Sequence, residues 1–287
     1  MVLNAIKTGL LFFLLTALIL GGGYLIAGKD GLMYALVIAA IMNFIGYFFS
    51  DKIALAAMDA QEVGPDHELY RIVADLAARA GLPMPRVYIS PAEAPNAFAT
   101  GRGPRSAAVC ATVGLLKILD RDEIAGVMAH ELAHVRHRDI LLQSVAATIA
   151  GAISVLGYMF MWGGYRSRDE EGEGTNPLFA LLFIILGPIA AGLVQAAISR
   201  QREYAADTGG ARICGSPTYL ARALEKLHFY SQQVPLPVNP SFNSMFVVEP
   251  LNAVEPMANL FATHPPVEKR IMNLIGREST GIVYRAL

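Results

Sequence analysis

Four long stretches of this chain contain no charged residue, and each is long enough to cross a lipid bilayer. A membrane-spanning helix needs about 20 consecutive, mostly apolar residues. The chain is 54% hydrophobic and only 16% charged, whereas soluble domains carry about 25% charged residues. The pattern therefore predicts a mainly α-helical integral membrane protein with four transmembrane helices, over residues 8–28, 31–50, 140–165 and 174–199.

The four stretches form two pairs, and their even number sets the topology. Only Lys29 and Asp30 separate the first two, which predicts a tight N-terminal hairpin over residues 1–50. The second pair, over residues 140–199, is interrupted by glycines and Pro188, so re-entrant segments or helices packed on protein are the alternative to two spans. Four crossings return the chain to its starting side, so residues 51–139 and 200–287 share one compartment.

Positive charge identifies that compartment. Basic residues at the membrane ends are more frequent on the shared side, which predicts by the positive-inside rule that it is cytoplasmic. The basic residues are Lys52, Arg136, Arg138, Arg200 and Arg202 on the shared side, and Lys29, Arg166 and Arg168 in the opposite loops. The lipid bilayer is thus one expected partner. A net charge of −1 gives no basic excess for nucleic acid, and the two distant cysteines form no cysteine zinc cluster.

The two soluble segments are predicted to be mostly helical, with one small sheet. Apolar residues recur at helical spacing before Gly81, and Asp120 with Glu123 forms a capping box in front of a helix. Short β-branched or extended runs bounded by prolines and glycines predict strands. The predicted helices are 66–80, 121–139, 200–210, 216–232 and 267–275, the predicted strands are 86–89, 96–100 and 107–113, and 234–256 is predicted to be an irregular loop.

The helix predicted after Asp120 contains a pattern typical of metal-dependent hydrolases. His130 and His134 are four residues apart, so both imidazoles lie on one helix face and can reach one cation. Glu131 follows the first histidine directly, where its carboxylate can take a proton from a metal-activated water. The spacing predicts a catalytic zinc site with Glu131 as the general base.

A catalytic zinc needs a third protein ligand. His137 lies on nearly the same helix face, but three ligands from one straight helix would crowd one side of the metal. Glu203 and Asp207, four apart on the helix after the last apolar stretch, are the better candidates. One carboxylate can bind the metal while the other accepts a hydrogen bond from a ligand imidazole. We expect Glu203 to be the ligand and Asp207 to support a ligand imidazole. The helix that leads into the third span and the helix that leaves the fourth meet at the same face of the bilayer, which brings Glu203 within range of the two histidines.

Several motifs together resemble the HtpX-type membrane zinc metalloproteases, relatives of the CAAX-prenyl endopeptidases. They occur in the family's order and cover both soluble segments. They are residues 95–99 (PNAFA), 130–134 (HELAH) with Asp139 beyond, 199–207 (SRQREYAAD), and 263–266 (THPP) followed by Arg270. The resemblance implies a zincin-like α+β protease domain assembled from residues 51–139 and 200–287 and divided by the second hydrophobic pair.

The same resemblance implies roles for further residues. His264 and Arg270 would stabilise the oxyanion that forms when water attacks a peptide carbonyl. An extended substrate would pair with a strand formed by Asn96, Ala97, Phe98 and Ala99. One Zn²⁺ ion held by His130, His134 and Glu203 would complete a gluzincin-type site.

We therefore expect a zinc-dependent endopeptidase anchored in a bacterial cytoplasmic (inner) membrane. It would hydrolyse peptide bonds in misfolded or damaged membrane proteins or other unfolded polypeptides at the cytosolic face. The sequence does not specify an oligomeric state.

Three other functions are compatible with parts of the sequence. An intramembrane protease would place the charges around the zinc motif at membrane depth, which is costly. A zinc-binding scaffold or transporter without hydrolysis would need ionisable residues inside the spans, and the four stretches contain no charged residue. Processing of prenylated proteins would require an enclosed chamber of more than four spans.

Overall fold

The computed structural model describes residues 2–149, 200–231 and 265–276. These residues form a mainly helical fold with one four-stranded sheet. The helices are α1 (Val2–Phe48), α2 (Ser50–Ala57), α3 (Glu68–Ala80), α4 (Val113–Ile118), α5 (Arg121–His137), α6 (Ile140–Ile149), α7 (Arg200–Cys214), α8 (Pro217–Ser231) and α9 (Val267–Ile275). The strands are β1 (Gln61–Glu62), β2 (Arg86–Ser90), β3 (Ala97–Thr100) and β4 (Ala108–Thr112).

Helix α1 is folded back on itself. Gly28 has φ 58°, a left-handed conformation that glycine adopts without steric cost, and the helical segments before and after it pack together. Asn43 Nδ2 donates a hydrogen bond to Thr16 Oγ1 at 2.8 Å, which joins residues far apart along the chain. The segments Asn4–Gly21 and Gly28–Phe48 are long and apolar enough to cross a membrane, and most of their surface faces outward. We call them the first and second arms of the N-terminal hairpin.

Of the second predicted pair of spans, only α6 lies within the described residues. Its side chains are buried: Ile140, Val145 and Ala146 are fully enclosed. Val145 and Ala146 pack in a cluster with Leu11 and Leu15 of the first arm, whereas Ile140 belongs to the main core. Residues 150–199 lie outside the described part of the chain, so the four-span topology stays a prediction, whereas the two arms are the candidate spans that the described residues contain.

The sheet separates two apolar clusters. Its strand order is β1-β2-β4-β3, with β2 and β4 parallel and the other two pairs antiparallel. Because side chains alternate across a strand, Val87 and Val109 join the main core with α3 and α5, while Phe98 and Cys110 join a second cluster with α2. The short β1 was not predicted, since two residues are too few to show any periodicity.

Helix α5 lies at the centre of the described residues that follow the N-terminal hairpin, and it packs closely against α7. A Cβ atom on Gly210 would lie 2.8 Å from the main-chain nitrogen of His130 and 2.9 Å from its Cα. Glycine therefore allows the two backbones to touch where the metal-binding motif begins. The sequence predicted that α7 ends at Gly210, but the helix continues to Cys214. This glycine serves helix packing, and the helix is followed instead by Gly215 with φ 90°.

The other predicted helix ends agree with the structure to within a few residues. Asp120 and Glu123 form the capping box at the start of α5, with both hydrogen bonds at 2.9 Å. Gly81 and Gly276 end α3 and α9 in the left-handed conformation, which is a common way to end a helix. Local side-chain and backbone chemistry thus sets where these helices stop.

Replacing Gly210 with alanine should destabilise the protein. Alanine favours a helix over glycine by about 1 kcal/mol, but overpacking usually costs about 1–3 kcal/mol, and the main chain of His130 cannot move aside as a flexible side chain could. Thermal unfolding in detergent should therefore begin at a lower temperature. Gly64→Ala is the control, because no atom lies within 4 Å of a Cβ built there. An unchanged or higher unfolding temperature for Gly210→Ala would contradict the proposed close packing.

Candidate metal centre

Three buried side chains from two helices converge on one point. His130 and His134 come from α5 and Glu203 comes from α7. The two Nε2 atoms are 3.2 Å apart. Glu203 Oε1 lies 3.6 Å from His134 Nε2, and Oε2 lies 3.8 Å from His130 Nε2. Each residue is at most 3% exposed, so the group lies inside the protein.

These separations fit a shared metal ion. Ligand atoms bound tetrahedrally at about 2.0–2.1 Å from zinc are separated from one another by about 3.4 Å. The three observed distances, 3.2, 3.6 and 3.8 Å, lie on both sides of that value. Two imidazole nitrogens and a carboxylate, whose two oxygens each face one of the imidazoles, are also a donor set that zinc accepts, with a further position left open. The residues present therefore fit the expected metal.

A carboxylate supports the far side of each imidazole. Asp207 Oδ1 lies 2.9 Å from His130 Nδ1, and Asp139 Oδ2 lies 3.3 Å from His134 Nδ1. Such a carboxylate accepts the Nδ1–H hydrogen bond, which leaves the Nε2 lone pair available to a metal and fixes the ring orientation. Asp207 thus lies where the predicted supporting role needs it, and that role stays a prediction.

Asp139 has a supporting position that sequence reasoning did not assign. Arg138 ends α5 with φ 59°, a left-handed conformation, and the Asp139 main-chain N–H then donates to the His134 carbonyl at 3.0 Å. This turn directs the Asp139 side chain back towards His134. The available sequence signal for this position was a carboxylate five residues after His134. The local sequence does not indicate that the helix ends before Asp139, and only that ending turns the side chain towards His134.

Arg270 of α9 contacts Asp207, the carboxylate that supports His130. Its Nε and Nη2 atoms donate to the two carboxylate oxygens of Asp207 at 3.0 and 2.6 Å. Nη2 also lies 3.4–3.5 Å from both ring nitrogens of His130. Arg270 is fully buried, so the bidentate ion pair holds Asp207 against the ring. The predicted oxyanion role of Arg270 stays a prediction beside this structural contact.

The surroundings of the two imidazoles shift their pKa values in opposite directions. Burial lowers the pKa of His130 to about 4, with Asp207 opposing part of the effect. Burial also acts to lower the pKa of His134, but the charges of Glu203, Asp139 and Glu131 outweigh it and raise the pKa to about 9. The surroundings of His130 therefore favour a neutral imidazole at neutral pH, whereas those of His134 favour a positive charge. A divalent cation would supply that charge.

The supporting carboxylates are ionised. Burial alone would raise the pKa of Asp207, but the Arg270 guanidinium and His130 hold it at about 2. Burial opposes ionisation of Asp139 as well, and its hydrogen bond to His134 together with nearby charges keeps its pKa below the ordinary value. Both carboxylates can therefore accept N–H hydrogen bonds throughout the neutral range.

The remaining predicted site residues occupy different positions. Glu131 is buried on α5 at 3% exposure, next to His130. His264 lies outside the described residues. Asn96 immediately precedes β3, and Ala97, Phe98 and Ala99 lie within it, at the edge of the sheet as the described strands are ordered. These four residues are at most 3% exposed, so their side chains belong to the core. Their role in substrate binding stays a prediction.

Removing the Arg270 guanidinium should weaken both folding and metal retention. Arg270→Leu leaves the buried Asp207 carboxylate without its cation, and breaking such a pair typically costs about 3–5 kcal/mol. We expect a lower unfolding temperature for the metal-free and the metal-loaded protein, measured in detergent. Lys269→Leu, which removes the exposed neighbouring cation, is the control. An unchanged unfolding temperature with reduced turnover would instead indicate that Arg270 acts only on the reaction.

Comparisons with known proteins agree on one family. The profile of peptidase family M48 matches residues 64–278. A "Protease HtpX homolog" of Syntrophotalea carbinolica is 52% identical and covers 95% of this chain and 98% of its own length. Another, of Paraburkholderia phytofirmans, is 50% identical and covers 97% of this chain and 98% of its own length.

A solved structure shares the fold at much lower identity. The crystal structure of S. mikatae Ste24p superposes with a TM-score of 0.51 at 20% identity, over 96% of this chain. This chain matches 66% of the length of that protein, and the likeness concerns the fold alone. The family resemblance predicted from the motifs is confirmed by the sequence matches. The chain belongs to peptidase family M48, a family of metallopeptidases.

Proposed function

We propose that this metallopeptidase is a membrane-anchored, zinc-dependent endopeptidase of the gluzincin type. The observation that carries the proposal is the buried meeting of His130, His134 and Glu203, with 3.2–3.8 Å between their ligand atoms. Each imidazole is backed by an ionised carboxylate, as a ligand histidine requires. When bound, zinc would act as a Lewis acid that activates water and polarises the peptide carbonyl.

Glu131 is the proposed general base. It follows His130 on α5, so it projects from the helix that supplies two of the ligands. Its carboxylate would accept the proton of the attacking water and later deliver it to the leaving amine nitrogen. The burial of the site excludes bulk water, which strengthens electrostatic interactions there. Glu131 lies close enough to His134 and Arg270 to influence the charge of both.

The remaining roles concern the reacting carbonyl and the substrate. Arg270 places a buried positive charge beside the metal ligands, which supports a contribution to oxyanion stabilisation, and His264 is proposed to act with it. An extended substrate is proposed to pair with the strand Asn96–Ala99, because β3 ends the sheet in the described order. The peptide would then run close to α5, against which β3 packs.

The proposed setting is the cytoplasmic side of a bacterial inner membrane. The two arms of α1 would provide the anchor, and basic residues such as Lys52, Arg138 and Arg202 adjoin the apolar stretches in the segments that carry the proposed metal ligands. The positive-inside rule supports this orientation. The substrates would be misfolded or damaged membrane proteins and other unfolded polypeptides that expose extended segments there.

Changing Glu131 to glutamine should abolish cleavage while metal and fold remain. The amide is nearly isosteric but cannot accept the proton, and general acid–base catalysis typically contributes about 10²–10⁴-fold to a rate. We would measure hydrolysis of an unfolded protein such as casein in detergent, together with metal content and unfolding temperature. Glu68→Gln, the same change at an exposed position, should cleave at the parent rate. Undiminished proteolysis by Glu131→Gln would refute the assignment and favour a metal-binding protein without hydrolysis.

Changing Glu203 to alanine should remove the metal. Two histidines alone rarely hold zinc in a catalytic site, since three protein ligands are the rule. Metal analysis of the purified protein should show about one zinc per parent chain and close to none in the variant. Gln201→Ala, at an exposed position two residues earlier on α7, should keep its zinc. Full occupancy in Glu203→Ala would mean that another residue supplies the third ligand.

A further inference from the structure

The first arm of the N-terminal hairpin contacts Asp139, the carboxylate that lies beside His134 in the proposed metal centre. Asn4 Nδ2 donates a hydrogen bond to Asp139 Oδ1 at 2.8 Å, although the two residues are 135 positions apart in sequence. The other oxygen of Asp139 lies 3.3 Å from His134 Nδ1. A direct chain of contacts therefore runs from the first turn of the first arm through one buried carboxylate to a proposed metal ligand.

Asn4 also contacts the helix that supplies the third ligand. Arg202 Nη1 donates to Asn4 Oδ1 at 3.2 Å and lies 3.6 Å from Asp139 Oδ1. Arg202 immediately precedes Glu203 on α7. The two ends of the Asn4 amide thus connect the turn after α5 with the beginning of α7. Helices α5 and α7 are the two helices that carry the proposed metal ligands.

These contacts meet a physical need of Asp139. Its carboxylate is 1% exposed, and a buried charge requires hydrogen-bond donors because it has lost its water. Asn4 donates to the oxygen that does not face His134, so it fixes the rotation of the carboxylate. That rotation decides whether the second oxygen points at the His134 ring. The side chain of Asn4 hydrogen-bonds to Asp139 and Arg202, which are neighbours of the proposed ligands.

We propose that Asn4 is a positioning residue that orients Asp139 and thereby holds His134 in its metal-binding orientation. The inference rests on the proposed metal centre and adds a function to the hairpin. The first arm then supports the active site directly, in addition to anchoring the chain. Its polar first turn lies on the same side of the bilayer as the metal ligands, which the four-span topology also requires.

The test is the rate at which the full-length, zinc-loaded protein loses its metal to a chelator in detergent. Direct partners of metal ligands typically change metal affinity by about 10- to 100-fold, so Asp139→Asn is the reference. Asn4 contacts Asp139 and not a proposed ligand, so its effect should be smaller. We expect Asn4→Ala to release zinc about 3- to 10-fold faster than the parent. Asn4→Gln keeps an amide and should release zinc more slowly than Asn4→Ala.

Asn43→Ala is the matched control. It removes the asparagine that joins the two arms through Thr16, so it should lower the unfolding temperature without changing the release rate. The double variant Asn4→Ala/Asp139→Asn tests whether Asn4 acts through Asp139, because the effects of coupled residues do not add. It should release zinc no faster than Asp139→Asn alone.

Three results would overturn the inference while the metal centre itself stands. They are parental release by Asn4→Ala, equal acceleration by Asn43→Ala, and full additivity of Asn4→Ala with Asp139→Asn. A parent protein that holds no zinc, or a Glu203→Ala variant that keeps it, would instead overturn the proposed function and this inference with it.

Discussion

The close contact between the backbones of α5 and α7 is the constraint on which the metal centre depends. Glu203, Asp207 and Gly210 recur at helical spacing and lie on the face of α7 that meets α5. A side chain at position 210 would separate the helices near His130. A wider spacing would move the Glu203 carboxylate away from the two imidazoles, and the three side chains could no longer reach one ion.

Burying this many charged groups is possible only because each has a partner. Arg270 neutralises Asp207, and Asp207 holds His130. On the other side Asp139 holds His134 and itself accepts from Asn4. An unpaired buried charge would cost several kcal/mol, so these contacts are part of the reason that the supporting carboxylates can remain buried and ionised. Residues from α1, α7 and α9 therefore contribute to a site whose ligands come from α5 and α7.

Local sequence signals were sufficient wherever the chemistry itself is local. The capping box of Asp120 and Glu123 marks the start of α5, and glycines mark the ends of α3 and α9. The spacing of His130 and His134 predicts their common helix face. The expected meeting of the helix before the third span with the helix after the fourth predicted that Glu203 lies near them. Gly210 was misread as a helix end, because a glycine that permits close packing has the same local appearance as one that ends a helix.

The proposed metal-binding motif, the apolar stretches, most helix boundaries and the family are evident from the amino-acid sequence alone. Each of these follows from residue type and short-range spacing, which a linear pattern contains. Three sets of contacts are visible only in the folded chain: Asp139 with His134, Arg270 with Asp207, and Asn4 with Asp139 and Arg202. Those contacts join residues brought together by packing and by a left-handed turn at Arg138. Which charges become neighbours depends on how the folded helices cross, and no local spacing encodes that.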